Sequence, residues 1–175
     1  MNQKYIITGA PGTGKTSIIN ELYTRGYYCI KEFSREIILK QIKTKGNVLP
    51  WKNQVAFENK VAKKRLNAYL SSPNNRICFF DRSIIDCIAY LKLNNLEITQ
   101  EITDNIKTCS YNKNIFYTPL WKEIYTKDKE RKENIKTAKS IEDAIINIYK
   151  KNKYTIIKIP KISIKERADF VISKI

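Results

Sequence analysis

The segment from Gly9 to Thr16 constrains the fold of this chain more than any other feature of its sequence. It reads GAPGTGKT and matches the pattern GxxxxGK[ST]. The apolar run YIIT precedes it directly, and the segment TSIINEL, with apolar residues at helical spacing, follows it. In a strand, loop and helix of this order, backbone N–H groups at the helix N-terminus converge on phosphate oxygens. The motif therefore predicts that the chain binds a nucleoside triphosphate.

The composition of the loop supports this interpretation over a glycine-rich turn without a ligand. Three of the five glycines in the chain fall inside it, so glycine is scarce except where backbone must approach a ligand closely. Lys15 is expected to bridge the β- and γ-phosphates, and the Thr16 hydroxyl is expected to take one Mg²⁺ position. A nucleoside triphosphate is therefore the expected ligand. The residues predicted to bind it are Gly9, Ala10, Pro11, Gly12, Thr13, Gly14, Lys15 and Thr16.

Apolar runs and helical stretches alternate along the whole chain. Five runs predict strands, at 4–8, 27–31, 76–80, 114–117 and 154–159. The helical stretches lie at 16–25, 33–45, 51–70, 83–93 and 98–111, and two later helices have start signals at Ser140 with Asp143 and at Ser163 with Glu166. Because parallel strands need crossover connections, this alternation predicts an α/β fold with a parallel sheet covered by helices on both faces. The length of 175 residues suits a single domain.

Composition excludes several classes of chemistry and of protein. The chain has no histidine, so it has no Ser-His-Asp or Cys-His nucleophile system and no His-ligated zinc site. The four cysteines show no CxxC spacing, which favours a reduced, cytoplasmic protein. No run approaches the roughly 20 apolar residues that a membrane span needs, and no segment near the N-terminus predicts a signal peptide.

The formal net charge of +16 allows a second interpretation, in which a polyanion such as nucleic acid or acidic lipid binds the surface. The basic residues are mostly lysines spread over every segment, without an arginine-rich stripe. This distribution indicates that the positive charge reflects a bias in the overall composition of the chain. An anionic small ligand would suit the charge as well as a polyanion would.

Charged residues follow the predicted second strand. Glu32 and Arg35 emerge there, at the sheet edge where ligands bind in open α/β folds, so they are candidates to hold an acceptor beside the γ-phosphate. The alternative is an ordinary helix start whose charges pair with each other on a solvated face.

The third predicted strand, RICFF, runs directly into Asp81, Arg82 and Ser83. An apolar strand that ends in aspartate has the Walker B form, in which the carboxylate orients Mg²⁺. In a phosphotransferase the same carboxylate can accept the proton of an attacking hydroxyl, and Arg82 is a candidate to clamp a phosphate. The alternative makes Asp81 a helix cap and leaves Arg82 at the surface.

The segment near 121–137, after the fourth strand, is a candidate lid. Only seven arginines occur in the chain, and Arg131 lies here among lysines. A guanidinium over the γ-phosphate would neutralise the transferring charge and exclude water. The alternative is an exposed, salt-bridged helix. Arg167 fits an ordinary amphipathic helix start in the same way.

Taken in order, these motifs resemble the P-loop nucleoside and nucleotide kinases, and most closely the AAA-type ATPase domains related to the ribosylnicotinamide kinase domain. The segments that carry the resemblance over nearly the whole chain are GAPGTGKT, EFSRE, FFDRSIID, TPLW with DKERK, and IPKISIKERADFV. The resemblance implies a five-stranded parallel sheet of order 2-3-1-4-5 and Mg-ATP or Mg-GTP as donor. It also implies an acceptor pocket bounded by Glu32, Arg35 and Asp81, a lid containing Arg131, and a loop from Pro160 that borders the nucleotide base.

The chain departs from the resemblance at two points. The ribosylnicotinamide kinases carry an acidic residue where this chain has Arg82, and related kinases often have several lid arginines where this chain has Arg131 alone. The sequence predicts a Mg²⁺-dependent phosphotransferase that acts on a small hydroxylated, nucleoside-like acceptor. An NTP hydrolase and a nucleotide-regulated module that binds a polyanion remain alternatives.

Overall fold

The computed structural model describes residues 3–124 and 135–175. In these described residues, five strands form the sheet: β1 (Lys4–Thr8), β2 (Tyr28–Ile30), β3 (Cys78–Asp81), β4 (Asn114–Tyr117) and β5 (Thr155–Lys158). Seven α-helices of the described part of the chain connect or flank them: α1 (Lys15–Thr24), α2 (Ser34–Lys43), α3 (Gln54–Ser71), α4 (Ile84–Leu93), α5 (Gln100–Thr108), α6 (Ile135–Lys151) and α7 (Ile164–Ile172). A short 3₁₀ turn follows β4 at Lys122–Ile124.

The sheet is parallel throughout and has the order β2-β3-β1-β4-β5. This order confirms the one implied by the sequence resemblance. In the middle of the sheet, Ile7 lies beside Asp81 of β3 and beside Phe116 of β4. Because the strands are parallel, the residues that follow β1, β2, β3 and β4 all emerge at one edge of the sheet.

Alternate residues of β1 point to opposite layers of the core. Ile6 packs in the cluster formed with α3, α4 and α6, whereas Tyr5 and Ile7 pack in the cluster formed with α1 and α7. Both layers are therefore apolar and helix-covered, as expected for a parallel sheet. None of the described helices combines the length and apolar character required to cross a membrane.

The predicted strands are confirmed to within two residues at each end, and the capping box of Ser163 with Glu166 is confirmed at the start of α7. The predicted helix start at Ser140 is wrong, because α6 already includes Ile135. The Ser140 hydroxyl donates to the carbonyl of Lys136 inside the helix, and Asp143 pairs with Lys139 rather than with a cap.

Candidate functional site

The phosphate loop occupies the turn between β1 and α1. Its first residue, Gly9, has a φ of +148°. A Cβ atom at Gly9 would lie 2.4 Å from Oγ1 and 2.5 Å from the carbonyl oxygen of Thr118, which follows β4. Glycine is therefore required at this position by both its backbone conformation and the close approach of the neighbouring strand.

Side-chain hydrogen bonds hold the loop in shape from within. The Thr13 hydroxyl donates to the carbonyl oxygen of Ala10 at 2.9 Å and shares a 2.6 Å hydrogen bond with the Thr118 hydroxyl. Gly14, with a φ of +82°, is the N-cap of α1, so the helix begins at Lys15. The free N–H groups of the first turn and the positive end of the helix thus face the loop, as an anion site requires.

Lys15 is buried inside the loop, where its Nζ donates to the Ala10 carbonyl oxygen at 2.7 Å. Burial, with Arg82 as the next contribution, lowers the pKa of Lys15 to about 7, while Asp81 and Glu32 oppose the change. Negative charge from phosphate groups would stabilise the ammonium form. The role of Lys15 toward the β- and γ-phosphates stays a prediction.

Asp81 ends β3 and faces the first residues of α1. Its Oδ2 accepts a hydrogen bond from the Thr16 hydroxyl at 3.2 Å, whereas its buried Oδ1 has no hydrogen-bond partner in the described structure. Burial raises the pKa of Asp81 to about 6, and Lys15 is the main opposing influence. This carboxyl group therefore retains capacity to accept a proton or to meet a cation.

Thr16 and Asp81 fit a Mg²⁺ ion, which prefers oxygen ligands and keeps several waters. The orphaned Oδ1 of Asp81 and the hydroxyl beside it supply such oxygens. Within residues 3–124 and 135–175 no group of three or more His, Cys, Asp or Glu side chains forms a metal cage. A magnesium ion here would depend on phosphate oxygens for much of its coordination.

Glu32 follows β2 and forms the centre of a buried ion network. Arg65 Nη2 donates to its two carboxylate oxygens at 2.8 and 3.0 Å, and Arg82 Nε contacts Oε2 at 2.8 Å. The backbone N–H groups of Phe33 and Ser34 donate to Oε1. Burial alone would raise the pKa of Glu32, but Arg65 and then Arg82 outweigh it and lower the pKa to about 2. Glu32 is therefore ionised at neutral pH.

Arg82 adopts a φ of +74° in the turn between β3 and α4, a conformation that a non-glycine residue holds only when its surroundings fix it. Besides Glu32, its guanidinium contacts Asp86 at 3.1 Å. Asp86 also accepts hydrogen bonds from the hydroxyls of Thr8 and Tyr149, at 2.5 and 2.6 Å. The arginine is thus held by two carboxylates.

These contacts decide two alternatives left open by the sequence. Arg82 is not a surface residue, since only 6% of it is exposed. Asp81 is not the helix cap, because α4 is capped by the Ser83 side chain and by Asp86, which form a capping box.

One cavity of about 980 Å³ joins the groups predicted from the sequence. The phosphate loop, Glu32, Arg35, Asp81 and Arg82 all line it, with Arg35 exposed at its rim. Aromatic and polar side chains of the 50–58 region, of α4 and of its C-cap also line the cavity: Trp51, Gln54, Phe57, Glu58, Tyr90 and Asn94. Arg131 lies outside the described residues, as does most of the predicted lid segment.

Three residues at this cavity were not predicted as site residues. Arg65 and Glu58 lie in α3, which the sequence indicated only as a packing helix. Arg167 in α7 is buried, donates to the Thr13 carbonyl oxygen at 3.4 Å and lies 5.5 Å from the Trp121 ring. The scarcity of arginine in a lysine-rich chain is the one sequence signal that marks Arg65 and Arg167.

The model of the AAA domain family matches residues 4–167. No curated protein matches the chain in sequence. Among solved structures, deoxyadenosine kinase from M. mycoides, with products dCMP and a flexible dCDP bound, is 17% identical, with a TM-score of 0.68 over 98% of this chain and 97% of that chain. The NadR protein in complex with NR is 14% identical, with a TM-score of 0.71 over 99% of this chain and 51% of that chain. This chain therefore spans about half the length of NadR, and both likenesses show the fold.

Proposed function

The chain belongs to the AAA domain family and has the fold of a P-loop nucleoside kinase-like domain, and on this basis we propose that it transfers the γ-phosphoryl group of ATP or GTP to a nucleoside-like acceptor. The reaction requires Mg²⁺ in this proposal. Similar folds bind deoxynucleotides in deoxyadenosine kinase and NR in NadR, which supports an acceptor that carries a sugar and a planar ring.

The observation that carries the proposal is the extent of the cavity beyond the phosphate loop. A hydrolase needs room only for water beside the γ-phosphate. Here the cavity that Asp81 and Glu32 line is also lined by Trp51, Phe57 and Tyr90. Apolar and aromatic walls with a few placed polar groups are typical of a small-molecule site. An acceptor bound there would present a hydroxyl close to the phosphate loop.

The proposed roles follow from the charges and contacts. Lys15 neutralises charge that spreads over the transferring group. Thr16 and Asp81 hold Mg²⁺, which would supply charge neutralisation between the phosphates, or Asp81 accepts the proton of the attacking hydroxyl. The higher pKa of Asp81 and its unpartnered oxygen suit proton transfer better than the saturated, low-pKa carboxylate of Glu32.

Glu32 and Arg82 support the acceptor end through their ion network, and Arg35 at the rim adds positive charge for the incoming phosphates. Arg131 is proposed to close over the γ-phosphate from the lid segment. A positive group in that position would stabilise the transferring charge and exclude water from the cavity.

The fate of the γ-phosphate tests the proposal. Wild-type protein, Lys15→Ala, Asp81→Asn and the exposed control Lys60→Ala are incubated with γ-labelled ATP or GTP, Mg²⁺ and a panel of nucleosides that includes nicotinamide riboside. Label is expected on an acceptor, with transfer reduced about 100-fold or more in the first two variants and unchanged in the control. Release of free phosphate alone would indicate a hydrolase, and equal transfer by all four proteins would refute the assigned roles.

A further inference from the structure

Glu58 is a buried carboxyl group at the acceptor end of the cavity that the proposed reaction leaves unused. It lies in α3, one helical turn after Gln54 and next to Phe57, and only 4% of it is exposed. It lines the cavity together with both of these residues and with Arg65. A buried carboxyl group normally needs a partner, because burial of an isolated charge is costly.

The partners of Glu58 differ from those of two neighbouring carboxylates, Glu32 and Asp86. Glu32 and Asp86 are each held by arginine at 2.8–3.1 Å. Across residues 3–124 and 135–175, no lysine or arginine forms an ion pair with Glu58, and the Cys87 thiol lies close enough to favour its ionised form. Glu58 is therefore, like Asp81, a cavity-lining carboxyl group that forms no ion pair with a lysine or arginine of the described residues.

Arg65, the cation that influences Glu58 most, is engaged elsewhere. Its N–H groups donate to Glu32, to the carbonyl oxygen of Ser83 at 2.8 Å and to Cys87 Sγ at 3.3 Å. Its buried Nε has no partner in the described structure. The guanidinium thus attracts negative charge at Glu58 without pairing with it.

Burial raises the pKa of Glu58 to about 7, with Arg65 opposing the change. The neutral and ionised forms of the group are therefore both populated near neutral pH. The titratable or charged groups that act on it come from four parts of the chain: Glu32 after β2, Arg65 in α3, Arg82 after β3, and Cys87 and Tyr90 in α4.

A neutral carboxyl group offers one donor and one acceptor side by side. That pattern complements a ring edge with a donor beside an acceptor, as in the amino-pyrimidine edges of adenine and cytosine or in a ring carboxamide. An ionised carboxylate offers acceptors only, and it complements the two adjacent donors of guanine. The state of Glu58 would therefore select between two classes of base.

The other polar side chain in the same turn of α3 is already committed to the protein. Gln54 Nε2 donates to the Tyr90 carbonyl oxygen at 3.1 Å, and its Oε1 accepts from Asn94 at 2.8 Å. These bonds fix the amide against α4. Glu58 remains as the side chain of that turn with hydrogen-bonding capacity for a ligand.

We propose that Glu58 is a specificity-determining residue which, in its neutral form, binds the donor–acceptor edge of the acceptor base and so selects adenine-, cytosine- or carboxamide-type nucleosides over guanine-type ones. The proposal rests on the proposed function, because it names the acceptor class of that same site. Phe57 and Tyr90 would contribute the apolar walls between which the base lies.

Equilibrium binding of nucleosides without donor tests this directly, with the fluorescence of Trp51 at the cavity as the signal. Adenosine, cytidine, nicotinamide riboside and guanosine are titrated between pH 6 and pH 8 into wild type, Glu58→Gln, Glu58→Leu and the exposed control Glu97→Gln. In wild type, the Kd of the first three is expected to rise with pH, approaching tenfold per pH unit above about 7.

Glu58→Gln keeps a donor and an acceptor but cannot ionise, so it is expected to bind the same nucleosides with a Kd that does not change with pH. Glu58→Leu is expected to weaken binding of all three at every pH, and Glu97→Gln is expected to behave as wild type. If Glu58→Leu fails to fold, the pH profiles of wild type and Glu58→Gln decide the question alone.

Two results would overturn the inference. One is a wild-type Kd that is independent of pH, and the other is the same pH dependence in wild type and Glu58→Gln. If the wild type binds no nucleoside and transfers no label to any, both the proposed function and the role of Glu58 are refuted. If label is transferred but Glu58 has no effect on Kd, the base-reading role alone fails.

Discussion

Substitution of Arg65 should destabilise the fold in two ways, because it removes the hydrogen bonds of Arg65 and leaves the Glu32 carboxylate with one cation fewer. Arg65 is 4% exposed, and it donates to Glu32, to the Ser83 carbonyl oxygen and to Cys87. Arg65→Met keeps an apolar stem of similar length in the same space. The substitution removes the cation, so the half-buried Glu32 keeps Arg82 as its remaining cationic partner.

The magnitude follows from the titration of Glu32. Against the opposing effect of burial, Arg65, Arg82 and the Ser34 N–H together lower its pKa from 4.5 to about 2. For the whole network this corresponds to about 3 kcal/mol of stability at neutral pH. Breaking a buried ion pair from one side costs about 3–5 kcal/mol. We therefore expect Arg65→Met to lower the free energy of unfolding by about 3 kcal/mol.

A double-mutant cycle isolates this interaction. Urea unfolding at pH 7 is measured for wild type, Arg65→Met, Glu32→Gln and the double variant. Because each single change leaves an unmatched group and the double change removes both, the double variant should be more stable than the sum of the single effects predicts, with a coupling of about 1–3 kcal/mol. Strictly additive effects would refute the reasoning.

The pH dependence provides a second check on the same network. The folded-state pKa of Glu32 lies below its unfolded value, so its contribution is complete above pH 4.5 and is lost as the pH falls toward 2. The stability of wild type should therefore fall more steeply than that of Glu32→Gln over this range. Parallel pH profiles would show that the arginines do not stabilise the charge.

Three further changes test other parts of the site. Gly9→Ala should destabilise the protein by about 2 kcal/mol or more and abolish nucleotide binding in calorimetry, since its Cβ would lie 2.4 Å from Thr118. Because the folded-state pKa of Glu58 is raised, the wild type should lose up to about 3 kcal/mol of stability in urea unfolding as the pH rises from 4.5 through 7. Glu58→Gln should not show this loss. Arg167→Met should raise the Kd for nucleoside triphosphate about 3- to 10-fold, because Arg167 supports the Thr13 carbonyl, while nucleoside binding stays unchanged.

The strand positions and the phosphate loop were predictable from sequence because their signals are local. Three glycines, Lys15 and Thr16 lie within eight residues, and the apolar runs mark each strand directly. The positions of Glu32 and Asp81 were also predictable, because the end of a parallel strand fixes the edge at which the next residue emerges. The order of the strands came from the family resemblance, since alternation alone allows several orders.

The partners of those residues were not predictable, because they come from distant parts of the chain. Arg65 meets Glu32 across 33 positions, and Arg167 meets Thr13 across 154. In the sequence, both arginines lie on helices with ordinary amphipathic spacing, and this pattern does not distinguish a buried arginine from an exposed one. The helix start predicted at Ser140 was wrong although its signal was local. A capping pattern inside a longer amphipathic helix carries no information about where the helix begins.

The ion network also connects the two ends of the cavity. Arg82 contacts Glu32 beside the acceptor end, and at the donor end it is the largest charged contribution that lowers the pKa of Lys15. Glu32 in turn raises the pKa of Asp81. In the proposed reaction, a substitution of Glu32 or Arg82 would therefore change the charge balance around the donor phosphates as well as the acceptor pocket. The effects of such variants on the KM values of donor and acceptor must be interpreted together. Substitutions of Glu58 and of Arg167, by contrast, are each expected to change the binding of one ligand, the nucleoside for Glu58 and the nucleoside triphosphate for Arg167.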